Sequence, residues 1–241
     1  MQNSKSVRLR PFLSFYGSKW RLAKHYPEPR FDTIIEPFAG GAGYSTWHHT
    51  KNVILIEKDP KIASVWDYLI HVTSDEMLSL PDITDGKTVD DLSIPQEAKY
   101  LIGWWIQGAV SSPRKSASSW MKNAGPNPTR FWGEIVRRRL SEQVEQIRHW
   151  KIVLGSYEDY PDIPATWFID PPYQKMGKHY RYCKIDYNKL AEWAMSRSGQ
   201  VVVCENSGAD WLPFVPFRDS LSSQARTPGR KYSKEVIFGR E

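Results

Sequence analysis

Cysteine is nearly missing from this chain: among 241 residues only Cys183 and Cys204 occur. Two isolated thiols build neither a disulfide framework nor a zinc site, so reduced thiols and a cytoplasmic protein are expected. Long apolar runs are missing as well. None approaches the roughly 20 residues needed to span a bilayer, so no membrane association is expected. The opening residues Met1-Gln2-Asn3-Ser4-Lys5 are polar with no apolar stretch after them, which argues against a signal peptide. The histidines are scattered, and the adjacent His48 and His49 lack partners at ligand spacing, so no metal is expected. Gly17-Ser18-Lys19 lacks the earlier glycine and the preceding strand of a phosphate-binding P-loop.

Negative charge is scarce in two stretches. Lys5, Arg8, Arg10, Lys19, Arg21, Lys24 and Arg30 face only Glu28, and Arg114, Lys115, Lys122, Arg130, Arg137, Arg138 and Arg139 face only Glu134. The stretch from Asp75 to Glu97 is the reverse, with Lys87 its only base. The net charge is +6. Segregated positive charge favours a polyanionic partner, with a nucleic-acid backbone first among candidates, over merely solvated basic faces.

What is present reads as α/β. Phe31 to Glu36 forms a buried strand, Pro37-Phe38-Ala39-Gly40-Gly41-Ala42-Gly43 a glycine turn, and Tyr44 to Trp47 the opening of a helix. Strand, glycine turn and helix let a cofactor approach the backbone in a doubly wound sheet. A second strand, Asn52 to Ile56, closes on Glu57, an acid placed to accept ribose hydroxyls. Asp59 and Pro60 start the next helix, whose Ile62, Val65, Trp66, Leu69 and Ile70 make an apolar stripe. A nicotinamide-dinucleotide enzyme would begin similarly, but its third glycine position holds Thr46. Val72 to Pro95 reads as irregular, Glu97 to Val110 as a helix, and Phe131 to Trp150 as one long helix. Between the last two, Ser111 to Pro128 is a basic loop rich in hydroxyls and amides, suited to contact nucleic acid. Lys151 to Leu154 is a strand opening into Gly155-Ser156-Tyr157-Glu158, and Val201 to Cys204 is another, ending at Glu205-Asn206. Trp211 to Phe238, with a Thr227-Pro228-Gly229 turn, reads as a strand pair at the sheet edge.

The decisive stretch is Trp167-Phe168-Ile169-Asp170-Pro171-Pro172-Tyr173. A short apolar run between Pro164 and Pro171 reads as a buried strand, with Asp170 at its carboxyl end, where open α/β sheets place ligands. The prolines stiffen the loop beyond it. A carboxylate, the Pro171 carbonyl and the Tyr173 ring together suit a planar amine, giving two acceptors and a stacking face. The polar loop that follows, with Lys175, Lys178, His179, Tyr180, Arg181, Tyr182 and Lys184, is placed to close over a substrate or grip its phosphates.

Taken in order, Phe15-Tyr16-Gly17-Ser18-Lys19, Glu36-Pro37-Phe38-Ala39-Gly40 with Gly43, Glu57, Gly155-Ser156-Tyr157 and Asp170-Pro171-Pro172-Tyr173 resemble the Dam-like (D12 class) adenine-N6 DNA methyltransferases. The likeness runs over nearly the whole chain and is strong at these islands. It implies a Rossmann-like sheet binding S-adenosyl-L-methionine with an inserted, mainly helical target-recognition lobe. Residues 1–70 and 150–241 would form the catalytic domain and 71–149 the lobe. Phe15, Tyr16, Lys19, Glu36, Pro37, Phe38, Gly40, Gly43, Glu57, Ser156, Tyr157 and Asp170 would line the cofactor. The family's Gly-Asp-Phe reads Gly155-Ser156-Tyr157 here, so Ser156 or Glu158 stands in for the acid. Asp170, Pro171, Pro172 and Tyr173 would carry out transfer to a flipped-out adenine in duplex DNA. N4-cytosine or RNA methylation and a silent DNA-binding module are the alternatives. Arg114, Lys115, Lys122, Asn123, Arg130, Lys178 and Arg181 are the DNA-contact candidates. Asn123, Gly125, Asn127 and Pro128 echo the family's recognition hairpin. The partner implied is double-stranded DNA, bound by a monomer or a dimer.

Overall fold

A computed structural model describes residues 8–84, 86–124, 129–175, 177–221 and 232–241. Gly125, Asn127, Pro128 and the Thr227-Pro228-Gly229 turn therefore lie outside the described residues. The expected α/β, Rossmann-like sheet forms. Its strands are β1 (Thr33–Glu36), β2 (Asn52–Glu57), β3 (Lys151–Leu154), β4 (Ala165–Ile169), β5 (Gly199–Asn206), β6 (Val215–Leu221) and β7 (Tyr232–Arg240). Among the described residues they make one sheet in the order β3-β2-β1-β4-β5-β7-β6. β3, β2, β1, β4 and β5 run parallel, and β7 lies antiparallel between β5 and β6. Every residue of β4 is buried, as a central parallel strand with both faces covered requires. From β1 the chain winds one way to β2 and β3, and from β4 the other way to β5 and β7. The order therefore reverses between β1 and β4, which opens a crevice at their carboxyl ends.

The helices are α1 (Gly43–Trp47), α2 (Pro60–His71), α3 (Ser74–Ser79), α4 (Gln96–Trp105), α5 (Ser119–Lys122), α6 (Glu134–Val144) and α7 (Tyr187–Met195). Asp59 caps α2 by accepting the Lys61 N–H at 2.9 Å, with Pro60 as first residue. The stretch from Val72 to Pro95 is more regular than expected. Thr73 and Glu76 form a reciprocal capping box that starts α3, and Met77 is fully buried beneath it. The long helix expected over Phe131 to Trp150 is shorter. α6 ends at Val144 and tightens into a 3-10 turn, after which the Arg148 guanidinium donates to the Ile70 and Val72 carbonyls at the end of α2. The three consecutive arginines of α6 point three ways: Arg137 to Asp82 at 2.5 Å, Arg138 to Glu134 at 3.9 Å, and Arg139 over the Trp105 ring at 4.8 Å.

One sheet face packs Leu55, Phe168 and Val202 against α2, α4 and α6, so Trp66, Leu101, Trp104 and Val136 belong to the same core as the strands. The other face packs Ile35, Trp167, Ile169, Val201 and Val203 against Leu190 and Ala194 of α7 and against Trp211. Among the described residues no helix is long and apolar enough to cross a membrane, and no cluster of His, Cys, Asp and Glu could hold a metal ion.

Candidate active site

The carboxyl ends of β1, β2 and β4 bring Glu36, Glu57 and Asp170 to one edge of the sheet. Glu36 itself is buried, accepting the Ser45 N–H at 2.7 Å. It braces β1 against the first turn of α1, and burial pushes its carboxyl up to about 8. Glu57 holds the glycine turn: its two oxygens accept Gly40 N–H at 3.0 Å and Asp59 N–H at 2.8 Å. Burial pushes Glu57 up to about 7 against backbone hydrogen bonds from Asp59, Gly40 and Lys58. A carboxylate has about four acceptor sites, so these donors leave one for a ribose hydroxyl. Trp66 of α2 locks the turn from below by donating to the Gly40 carbonyl at 2.9 Å.

Gly43, expected to admit a cofactor, admits the chain instead. A Cβ there would lie 2.4 Å from the Trp20 nitrogen and 2.8 Å from that of Lys19. That close passage carries the Lys19 side chain across to β4. Its ammonium meets the two Asp170 oxygens at 2.8 and 2.9 Å and the Gly17 carbonyl at 3.0 Å, and lies 4.9 Å from the centre of the Tyr173 ring. Sequence reasoning assigned Lys19 to the cofactor, but its partner is the candidate catalytic acid. Burial works against the ammonium, yet Asp170 and Glu235 outweigh it and hold Lys19 charged well above the usual lysine range. Burial pushes Asp170 up while Lys19 pulls it back. With both of its oxygens on an ammonium, we read the pair as ionised.

The corner beyond Asp170 is held group by group. The Pro172 carbonyl accepts Tyr187 O–H at 2.6 Å, and the Tyr173 carbonyl accepts Gly177 N–H at 2.7 Å. The Gln174 N–H donates to Glu205 at 2.7 Å, and the Tyr173 hydroxyl donates to Glu235 at 2.5 Å. Among the described residues the Pro171 carbonyl has no donor. One acceptor of the corner is thus left for a ligand, directly after the Asp170 carboxylate.

Phe15 packs on the glycine turn: a Cβ on Gly40 would sit 3.0 Å from its ring. It is wedged between Trp104 and Tyr180, each ring centroid 6.3 Å away. Tyr16 gives its carbonyl to the Tyr180 hydroxyl at 3.2 Å and its ring edge to His179. Gly17, at φ +79°, has Tyr180 directly over it, where a Cβ would meet the hydroxyl at 2.3 Å. The segment after the corner is therefore folded down over residues 15–17, and Arg181 reaches across to Asp59 at 3.9 Å. Two surface hollows, of 240 and 330 Å³, lie away from the corner, one beside Lys87 and Lys122 and the other beside His71 and Glu97.

Pro37 is buried, and Phe38 meets Tyr157 at a ring distance of 5.2 Å, which puts the loop after β3 beside the turn after β1. Ser156 is half-buried with its N–H on Asp159 at 3.1 Å, whereas Glu158 is paired to Lys189 at 2.8 Å. Of the two residues expected in place of the resembled family's acid, Ser156 is the one not tied to a lysine.

The basic candidates fall into two groups. Lys178 and Arg181 are exposed on the segment that follows the corner. Arg114, Lys115, Lys122, Asn123 and Arg130 are exposed on the insert, with Lys115 paired to Asp90 at 2.6 Å. The two stretches touch where Ser111 donates to the His179 carbonyl at 2.7 Å.

Sequence reasoning missed Glu205, Glu235 and Tyr187 as site residues, and named Tyr180 only within the loop placed to close over a substrate. Glu205 had a signal, since it closes an apolar strand as Glu57 does. Glu235 had none, because only the placement of β7 beside β5 brings it to Tyr173.

No protein-family profile and no curated protein matches the chain. Among solved structures it is similar to a conserved hypothetical protein from Streptococcus pyogenes, at 12% identity and TM-score 0.39, covering 87% of this chain and 86% of that one. It is also similar to an Escherichia coli protein provisionally named a methyltransferase (yhhF), at 10% identity and TM-score 0.36, covering 87% of this chain and 75% of that one. The functional reading rests instead on the chain's own residues.

Proposed function

We propose that the protein is a site-specific DNA methyltransferase that moves a methyl group from S-adenosyl-L-methionine to N6 of an adenine flipped out of duplex DNA. The observation that carries this reading is the acceptor pair at the crevice, the Asp170 carboxylate fixed by Lys19 and the Pro171 carbonyl with no donor among the described residues. The exocyclic amine of adenine is a poor nucleophile because its lone pair is delocalised into the ring. Two fixed acceptors, one for each amine hydrogen, draw the hydrogens out of the ring plane and free the lone pair for in-line attack. The bound cofactor would supply the electrophile, a methyl group on a sulfonium whose carbon–sulfur bond would break to leave a neutral thioether, and the proton lost from the methylated amine would pass by way of its acceptors to solvent. Glu57 suits its ribose through the acceptor capacity its backbone donors leave, and the Gly40 turn and Phe38 would lie alongside.

Positioning and electrostatics provide the acceleration here. Lys19 keeps Asp170 ionised and aimed, and the segment bearing Tyr180 and Arg181, folded down as observed, would shut water out during transfer. The Tyr173 ring, fixed at its hydroxyl, offers the flipped base a stacking face. Residues 71–149, with Arg114, Lys115, Lys122, Asn123 and Arg130, would form the lobe that reads or grips the duplex, with residues 1–70 and 150–241 as the catalytic domain.

The test is incubation with tritiated S-adenosylmethionine and adenine-unmethylated duplex, followed by nucleoside analysis. Label in N6-methyladenine is expected. Label in N4-methylcytosine, or only when RNA is offered, would replace the substrate. Tight duplex binding with no label in any nucleic acid would make the protein a silent DNA-binding module.

A further inference from the structure

Two carboxylates outside every recognisable motif grip the Asp170–Tyr173 corner, one from each face of the sheet. Along β5 side chains alternate between faces. Val202 and Cys204 lie in the core with Trp66, whereas Val201 and Val203 lie in the core with Trp211. Glu205 follows the second set. It is almost fully buried, 1% exposed, and accepts three donors: Gln174 N–H at 2.7 Å, Asn206 N–H at 2.7 Å and Trp211 Nε1–H at 3.2 Å. Glu235 lies opposite Asn206 in the β5–β7 pairing, so it takes the first face, with Cys204. It is 7% exposed and accepts the Tyr173 hydroxyl at 2.5 Å.

Burying a carboxylate is costly unless donors compensate it. A surface residue or an apolar one would fill either place at less cost if shape were the only requirement. What these two carboxylates have in common is the corner. Glu205 fixes the backbone directly after Tyr173, and Glu235 fixes the far end of the Tyr173 side chain. The Tyr173 ring lies between those anchors, and the Pro171 carbonyl stands just before them in the chain, across the stiff Pro172. Neither proline can donate to a neighbouring strand, so the corner cannot be held by sheet hydrogen bonds. Its position has to come from outside groups.

We infer that Glu205 and Glu235 are positioning residues that set the Pro171 acceptor and the Tyr173 ring against the target base. This rests on the proposed methyl transfer, and it assigns these two acids a share in the rate without contact with substrate. A displacement of about 1 Å in an acceptor can cost on the order of a hundredfold in rate.

The experiment compares single-turnover methylation at saturating cofactor and duplex with amide exchange at Gln174. The variants are Glu205→Gln, Glu235→Gln, Tyr173→Phe, the Tyr173→Phe/Glu235→Gln double and Trp211→Phe. Glu205→Gln presents an amide N–H to backbone donors. It should slow transfer by about tenfold to a hundredfold, leave cofactor and duplex dissociation constants unchanged, and speed exchange at Gln174. Glu235→Gln and Tyr173→Phe should each slow transfer, Glu235→Gln also withdrawing a negative charge that supports Lys19, and the double variant should lose less than the sum of the two, because they share the Tyr173–Glu235 bond. Trp211→Phe removes a different donor from Glu205 and should leave the rate near that of the wild type. Wild-type rates in Glu205→Gln, additive losses in the double variant, or an equal loss in Trp211→Phe would each overturn the inference. If Glu205→Gln does not fold, Glu205→Asp takes its place, with the charge kept and withdrawn from Gln174. If the wild type labels no nucleic acid, the functional reading falls by itself. The clamp is then decided by exchange at Gln174, where faster exchange supports it and unchanged protection overturns it.

Discussion

The corner at Asp170–Tyr173 and the basic stretch from Ser111 to Arg130 are the two regions a DNA-modifying enzyme would most need, and they are built in opposite ways. At the corner nearly every polar group is engaged: Lys19 on Asp170, Tyr187 on Pro172, Gly177 on Tyr173, Glu205 on Gln174, Glu235 on the Tyr173 hydroxyl. Among the described residues the Pro171 carbonyl is an exception. On the insert, Arg114, Lys122, Asn123 and Arg130 stand in solvent. The only helix in that stretch among the described residues is the four-residue α5. A reacting group has to be in place before the substrate arrives, since any freedom it retains reduces the rate. A phosphate-gripping lysine needs no such preparation, because its charge acts over a Debye length and its stem adapts.

That contrast can be broken most severely at Asp170. Asp170→Ala is expected to lower methyl transfer by about a thousandfold and leave duplex affinity unchanged; a filter-binding titration beside the label assay checks both. If duplex affinity collapsed as well, the corner would be part of the binding surface and the two regions would not be separable. Next comes the buried partner. Lys19→Met leaves the Asp170 carboxylate without its ammonium, and urea unfolding should show a loss of about 3 kcal/mol, while insert substitutions should leave the midpoint alone.

A smaller effect sharpens the comparison through pH. Burial raises the Glu36 carboxyl to about 8 in the folded protein. A raised carboxyl binds its proton more tightly in the native than in the unfolded state. Its contribution is therefore fully present below the unfolded value near 4.5 and is lost as pH rises toward 8. Glu36→Gln should flatten the fall of the denaturation midpoint between those two values. A wild-type midpoint that rises over this range, with the variant parallel to it, would rule out Glu36 as the cause. The smallest effects belong to the insert. Lys122→Ala or Arg130→Ala should each reduce the salt-dependence slope of duplex binding by about one, with the transfer rate at saturating duplex unchanged. A rate loss at saturation would show that the insert positions the base and does more than hold the backbone.

Much of the edge where ligands would bind was legible before the structure. Glu57 at the end of β2, Asp59 and Pro60 at the start of α2, and Asp170 at the end of β4 all stand where the apolar runs and prolines put them, because strand ends and caps are local physics. Thr73 and Glu76 carried a capping-box signal inside a stretch read as irregular, which is why α3 was missed. Gly43 was legible as a close approach but not as to what approaches. The occupant is the backbone of Lys19 and Trp20, from a segment whose path depends on packing.

The chain's alternation of apolar runs, turns and caps determined by itself that an α/β sheet would form, and that its carboxyl edge would carry Glu36, Glu57 and Asp170. Only the tertiary structure decided which strands are neighbours. With β7 between β5 and β6, Glu235 reaches Tyr173 from 62 residues away. With the first segment folded across α1, Lys19 reaches Asp170 over a separation of 151 residues. Hydrophobic period specifies a strand from a few adjacent residues, whereas strand order and ion pairing at such separations depend on how all the faces pack together. No local pattern encodes that.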